Sequence, residues 1–191
     1  MKLFTSRFGI FAATVTAVLM TGAISRAGLL PVSGSVTPEG SNYSYSYGVV
    51  LTSNTTLQTG DFFTVYDFPG FVPGTNTQPA GFTFSTALVG PTPPGAAPTD
   101  NPGIANLTWT YAGPSTLVGR VDLGNFTAQS QYGATANGQF AGIAHLQGST
   151  GTESTVAGVT VPAVPEPASL ALIGIGLPLA GLFRYLRRRK K

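Results

Sequence analysis

Residues 43–51 read YSYSYGVVL, and this stretch indicates how the rest of the chain folds. Every second position is large and apolar, while the positions between them are mostly serine and glycine. Successive side chains of a β-strand point to opposite faces of a sheet, so this alternation predicts a strand with one buried face. That face would consist of Tyr43, Tyr45, Tyr47, Val49 and Leu51.

The same alternation recurs along the chain between breaks rich in glycine and proline. It predicts further strands at residues 57–68, 82–88, 107–111, 117–123, 126–132, 139–146 and 155–161, about eight in all. We expect residues 28–41 to be a loosely held leader, the proline-rich residues 90–103 to be a loop, and Gly124-Asn125 to be a tight hairpin turn. Since turns rather than helices join the strands, the pattern predicts an all-β body, an antiparallel β-sandwich with a barrel-like arrangement as the alternative.

Composition limits the chemistry that this body can perform. The chain of 191 residues has no cysteine, which excludes disulfides, a thiolate nucleophile and cysteine zinc sites. Between residues 28 and 163 the only formal cation is Arg120, and six acids give this part a charge of about −5. A basic groove for nucleic acid is therefore absent from it. The acids are Glu39, Asp61, Asp67, Asp100, Asp122 and Glu153.

The first 27 residues have the layout of a secretory signal. Lys2 and Arg7 precede an apolar stretch at residues 8–24, which predicts a signal helix. Ser25 and Ala27 then place small residues at the two positions that signal peptidase reads, so we expect cleavage after Ala27. An uncleaved N-terminal anchor is the alternative.

The chain ends with a short proline-containing element, an apolar run and a basic tail. The element consists of Val164, Pro165, Glu166 and Pro167. Residues 168–186 would rise about 28 Å as a helix, close to the roughly 30 Å of a bilayer core, which predicts a transmembrane helix. Cations resist crossing the hydrocarbon, so the tail should stay cytoplasmic and the body outside. The cations are Arg184, Arg187, Arg188, Arg189, Lys190 and Lys191.

This order of Pro-Glu-Pro, span and basic terminus resembles the PEP-CTERM sorting signal of bacterial proteins handled by exosortase. The resemblance covers residues 164–191 and implies that Glu166 is read by the processing enzyme rather than acting as a catalyst. It also implies an inner-membrane tether before processing, with the body in the periplasm and then at the cell surface or outside the cell. A buried core helix and a plain tail anchor that is never processed are the alternatives for this segment.

The body offers few residues for catalysis or metal binding. His145 is the only histidine, it falls in a predicted strand, and we expect it to be structural. A Ser-His-Asp triad is compatible with the composition, but no Gly-x-Ser-x-Gly elbow is present. Asp61 and Asp67 flank one predicted strand and would need a bend to act as a glycosidase pair. The turn at residues 100–103 lacks the alternating oxygen ligands of a calcium loop, so we predict no metal, no cofactor and no catalytic residue.

These patterns favour a non-enzymatic surface or extracellular-matrix protein, delivered through signal peptidase, the membrane and exosortase. The first alternative is a module that binds the exopolysaccharide of a biofilm matrix. It would need an exposed aromatic platform, for which Tyr45, Trp109 and Tyr111 are the candidates, although aromatics at strand spacing belong more often to a core. A hydrolase is the third possibility.

Overall fold

A computed structural model describes residues 28–165 of the chain, and this part consists of strands and connections without a helix. The predicted signal helix and transmembrane helix lie outside these residues. Among the described residues there is accordingly no helix long and apolar enough to cross a bilayer. The strands are β1 Leu29–Glu39, β2 Asn42–Leu51, β3 Thr55–Leu57, β4 Phe62–Val65, β5 Phe82–Ala87, β6 Asn106–Tyr111, β7 Leu117–Val118, β8 Val121–Ser130, β9 Thr135–Leu146 and β10 Thr152–Pro162.

The ten strands form two antiparallel sheets. The smaller sheet has the order β1-β2-β8. The larger, seven-stranded sheet has the order β5-β6-β4-β9-β3-β7, with β10 on the other edge of β9. Strands β3 and β4 pair in succession along one edge of β9, at residues 145–146 and 140–142. The predicted all-β, antiparallel body is therefore confirmed.

Both sheets contribute to one aromatic core. Tyr45, Tyr47, Val49 and Leu51 of β2 are buried, as the alternation predicted. At the centre Phe63 stacks on Trp109 and Phe140, with ring centroids 5.3 and 5.1 Å apart, and meets Phe126 of the smaller sheet edge to face at 4.8 Å. Burial of one such side chain is worth about 1.5–3 kcal/mol. A core shared by two sheets is compatible with the predicted sandwich.

The expectation of a loose leader at residues 28–41 is wrong. Strand β1 pairs with β2 along its length, from Leu29 opposite Leu51 to Glu39 opposite Asn42, with one irregularity near Pro31. Prolines interrupt a central strand, but an edge strand tolerates them because one side of it has no neighbour to bond. Strand β1 lies at such an edge.

The predicted hairpin at Gly124-Asn125 is also wrong. Strand β8 continues through both residues, and its register with β2 shifts between Val49 and Val50, opposite Gly124. Gly124 has a φ of 91°, which a residue without a Cβ adopts readily, and it forms a β-bulge rather than a turn. The chain instead turns at Gly119, where it passes from β7 in the larger sheet to β8 in the smaller one. The predicted strand at 57–68 is likewise divided into β3 and β4 by residues 58–61.

The proline-rich loop, residues 90–103, is confirmed as a loop, and it packs on the outer face of the larger sheet. The Tyr66 hydroxyl donates to the Pro91 carbonyl at 2.6 Å, and the Ser154 hydroxyl of β10 donates to the Pro94 carbonyl at 2.8 Å. Beneath the loop the hydroxyls of Thr64 and Thr108 lie 2.9 Å apart, and both residues are buried. The loop therefore buries a polar layer on the side of the sheet that faces away from the core.

Asn106 fixes the base of this loop. Its side-chain oxygen accepts from the Asp67 amide at 2.8 Å. Its side-chain nitrogen donates to Asp100 at 2.8 Å and to the Leu88 carbonyl at 3.3 Å. Asn106 is fully buried, so these bonds are made out of contact with water and join three separate segments of chain.

Candidate functional site

The junction between the folded body and the C-terminal element is short. The Ala163 amide donates to the Ala134 carbonyl at 2.7 Å, which extends the β9–β10 pairing one residue beyond β10. Val164 and Pro165 follow and are exposed to solvent. The other predicted sorting residues, Glu166 and Pro167, lie outside the described residues, as do the six tail cations and the cleavage residues Ser25 and Ala27. Their roles stay predictions.

A cavity of about 530 Å³ opens beside this junction. The end of β10 and the C-terminal linker form one wall, from Val161 to Val164, and the start of β9 forms another. Asp67 and Thr99 contribute polar atoms, and Ile104 contributes an apolar side chain. We call this end of the body, with the cavity and the ends of β1, β4 and β10, the linker end.

The two ends of the described body carry three acids each and differ by one cation, Arg120. The acids of the opposite end are Asp61, Asp122 and Glu153. Glu39 ends β1, Asp67 follows β4 and Asp100 lies in the proline-rich loop, so all three acids belong to the linker end. Arg120 lies between β7 and β8, and His145 is near the end of β9, both at the opposite end. Within the described residues, the linker end therefore carries carboxylates and no Lys or Arg.

The turn expected at residues 100–103 is present as a hydrogen-bonded turn at residues 101–104. The Ile104 amide donates to the Asn101 carbonyl at 2.9 Å, and the Gly103 amide donates to the Asn101 side chain at 3.0 Å. Both oxygens of the Asp100 carboxylate accept protein donors, from Asn106 at 2.8 Å and from the Gly90 amide at 3.1 Å. The Asp100 carboxylate therefore holds the proline-rich loop in place through these two hydrogen bonds. Among the described residues no group of three or more His, Cys, Asp and Glu side chains is placed to hold a metal ion.

His145 pairs with Asp61, which sequence reasoning did not anticipate. Nδ1 of His145 lies 2.9 and 3.1 Å from the two carboxylate oxygens of Asp61. The same carboxylate accepts from the Gln58 amide at 2.8 Å, and only 3% of the Asp61 side chain is exposed. The two partners are 84 residues apart, so no local motif marks them.

The Asp61–His145 pair holds the turn between β3 and β4 against β9. A buried carboxylate that orients a histidine is one half of a catalytic triad. In the described part of the chain, the contacts of this ring join it to Asp61 and to no serine or threonine hydroxyl. The pair therefore links the β3–β4 turn to β9, and a purely structural role for His145 stays a prediction.

Asp61 and Asp67 do not form a carboxylate pair. They lie beyond the two ends of β4, and its four residues alone extend for about 13 Å. A glycosidase needs its two carboxyl groups within about 10 Å. Asp61 is bound to His145, and Asp67 accepts from the Asn101 amide at 2.9 Å. The bend that this hypothesis required is absent from the described strand.

The three candidates for an aromatic sugar platform belong to the core. The exposed fractions of Tyr45, Trp109 and Tyr111 are 1%, 0% and 5%. Among the described residues no aromatic side chain is in the exposed class. The core interpretation of these rings is confirmed, and the platform made of them is wrong.

Comparison with known proteins adds information on one region of the chain. A search of curated proteins gives no match. Residues 163–190 match the family model of the PEP-CTERM protein-sorting motif. The match begins at Ala163, the last of residues 28–165 that is seen to be hydrogen-bonded to the body, and it includes the Pro-Glu-Pro element, the apolar run and the basic tail. The chain thus carries a C-terminal PEP-CTERM sorting signal, which marks it for export with processing by exosortase.

Proposed function

We propose that residues 28–163 form a non-enzymatic domain for the cell surface or the extracellular matrix. The domain would be held at the inner membrane by residues 164–191, released by exosortase, and then retained outside the cell. One observation carries this proposal: the sorting motif begins at the residue where the folded body ends. The whole body is therefore the cargo of the signal.

The chemistry of the described residues supports a body without catalytic activity. The Asp61 and Asp100 carboxylates are bonded within the fold, and Asp67 is separated from Asp61 by the length of β4. The hydrolase interpretation has lost the residue pair that motivated it. The exopolysaccharide-binding module has similarly lost Tyr45, Trp109 and Tyr111, its three aromatic candidates.

Localisation in cells tests the proposal directly. We expect a tagged full-length chain to be shortened and to leave the membrane fraction in cells that contain exosortase, and to accumulate there at full length in cells without it. Glu166→Gln should behave like the loss of exosortase, because it removes the carboxylate that the enzyme is proposed to read. Glu153→Gln, which neutralises an acid at the opposite end of the body, is the matched control. The same size and location with and without exosortase would refute the proposal.

Removal of residues 1–27 by signal peptidase is part of the same proposal. Gly28 is buried, and its amide donates to the Thr155 hydroxyl at 3.0 Å, which supports Gly28 as the first residue of the folded body. N-terminal sequencing of the exported protein should return Gly28. A sequence that began at Met1 would instead support the uncleaved anchor.

A further inference from the structure

We propose that the linker end of the body is a docking surface for the processing enzyme, which binds it through a basic surface beside its active site. This inference rests on the proposed function, since it takes exosortase to be the enzyme that cuts near Glu166. It adds a second recognition site, on the folded body, to the sorting signal itself.

The linker is too short to hold the body far from the predicted span. Ala163 is fixed to Ala134 by a hydrogen bond, and the predicted span begins five residues later, near Ala168. A chain extends by at most about 3.6 Å per residue, so the body lies within roughly 18 Å of the start of the span. Glu166 is in the middle of that interval. An enzyme that engages Glu166 must therefore occupy space next to the linker end.

The shape of the linker end suits the docking of a partner. The linker end has a concave site, the cavity of about 530 Å³, rather than a flat or convex face. Val164, the residue that precedes Pro-Glu-Pro, forms part of its lining and is 56% exposed. Thr99 and Asn137 are exposed on the same lining. A side chain of the enzyme could enter this cavity while the enzyme holds the adjoining linker.

The carboxylates of the linker end suit a positively charged partner. Glu39, Asp67 and Asp100 belong to the linker end, and in the described residues no Lys or Arg accompanies them. Complementary charge steers association and suppresses wrong partners, so the surface suits a partner with exposed Lys or Arg. An anionic lipid surface would be repelled by the same carboxylates. The charges thus favour a basic protein surface over the bilayer.

The test places new cations at the rim of the cavity in the full-length chain. The double variant Thr99→Arg/Asn137→Arg changes two exposed side chains and keeps the Thr99 amide, which donates to the Gln139 side chain at 2.6 Å. Gln147→Arg/Thr150→Arg adds the same charge to the exposed β9–β10 connection at the opposite end and is the matched control. We expect the rim variant to be processed roughly fivefold more slowly than wild type, through like-charge repulsion, and the control at the wild-type rate. Processing is followed by pulse-chase of the tethered and shortened forms.

A second measurement separates docking from simple steric access. Ten Gly-Ser residues inserted after Ala163 would move the body away from the enzyme without changing the motif. Docking predicts slower processing of this variant, whereas a body that only obstructs the enzyme predicts faster processing. An unchanged or faster rate, or a rim variant that matches its control, would overturn the inference. Faster processing of the rim variant would point to the bilayer as the partner of this end.

These outcomes are distinguishable from failure of the proposed function. If wild type were processed equally with and without exosortase, the proposed function itself would fail. If wild type required exosortase but all body variants were processed normally, only the docking inference would fail.

Discussion

The inner face of the seven-stranded sheet is buried by side chains of the other sheet, whereas its outer face is buried beneath a loop. On the inner face, Phe63 and Trp109 lie in contact with aromatic rings from both sheets. On the outer face, Thr64 and Thr108 face the proline-rich loop, which supplies carbonyl oxygens as hydrogen-bond acceptors. The difference shows that two adjacent residues of one strand can be equally inaccessible for unrelated physical reasons. The inner layer should respond to changes in volume, and the outer layer to changes in hydrogen bonding.

The largest loss of stability is expected from a substitution that leaves a cavity in the inner layer. Phe63→Ala should lower the free energy of unfolding by about 3–5 kcal/mol, because the three surrounding rings cannot collapse into the space. Phe62→Ala, one residue earlier and only partly buried on the other face, should cost less than Phe63→Ala. Urea unfolding followed by the fluorescence of Trp109, the only tryptophan, measures both. Equal losses would show that the two faces do not differ in this way.

Removal of the central hydrogen-bonding residue tests the outer layer. Asn106→Ala should cost about 2–3 kcal/mol, since it leaves the buried partners of that side chain without their bonds. It should also make residues 90–103 more sensitive to limited proteolysis, because the base of the loop is released. Asn137→Ala, an exposed asparagine, should change stability by no more than about 0.5 kcal/mol. If the two variants behaved alike, the loop would not depend on the polar layer.

The Tyr47 ring is buried in the core and its hydroxyl is hydrogen-bonded, so the ionisation of this side chain tests both kinds of burial. Burial, and secondarily the neighbouring Tyr45, raises the pKa of the Tyr47 hydroxyl, which donates to the Thr160 carbonyl at 2.8 Å. A raised pKa means that this contribution to stability is complete below the unfolded value of about 10 and is lost as the pH rises above it. Wild type should therefore lose stability above pH 10 more steeply than Tyr47→Phe, which itself costs about 1 kcal/mol at neutral pH. Parallel thermal-unfolding profiles from pH 9 to 12 would contradict this.

The smallest expected effect is the coupling free energy between the two hydroxyls of the buried threonine pair, Thr64 and Thr108. Thr64→Val or Thr108→Val alone should cost about 1 kcal/mol, because each removes the hydroxyl–hydroxyl contact from a buried site. The double variant should cost less than the sum of the two, since no unpaired hydroxyl remains between them. A double-mutant cycle in urea measures this coupling. Additive losses would mean that the hydroxyl contact contributes nothing.

The indole nitrogen of Trp109 is a buried polar atom in the otherwise apolar inner layer. Among the buried side-chain polar atoms of the described residues, it has no hydrogen-bond partner. A buried donor left unpaired costs about 1–3 kcal/mol. The ring is retained among Phe63, Phe84 and Phe126 in spite of this cost, which shows how strongly contact area dominates the inner layer.

Alternation along the sequence was sufficient to predict the inner layer but not the outer one. Tyr45, Phe84 and Trp109 belong to runs in which every second residue is large and apolar. This alternation is visible in the sequence without knowing which elements pack together. The burial of Thr64 and Thr108 depends on a loop that begins some 26 residues after Thr64, and threonine is equally compatible with solvent. Strand β1 was missed because Pro31 and Pro38 usually mark breaks, although an edge strand accepts them.

The candidate site also has one part that the sequence predicts and other parts that it does not. The sorting signal was predictable because its three parts are contiguous and each has a composition with one physical meaning. The cavity at the linker end was not, because its lining comes from four separate parts of the chain, between Asp67 and Val164. The Asp61–His145 pair was equally hidden, since it depends on how β3 and β4 meet β9.

Strand β10 has a mechanical consequence for a protein that is tethered by its C-terminus. Tension on the linker would pull β10 along its own axis, and its bonds to β9 run across that axis. All eleven register pairs, from Thr152 opposite His145 to Pro162 opposite Thr135, would then share the force in shear instead of opening one after another. The body should therefore withstand a pull on its C-terminus far better than the same pull applied sideways, which would open the β9–β10 pairing from one end.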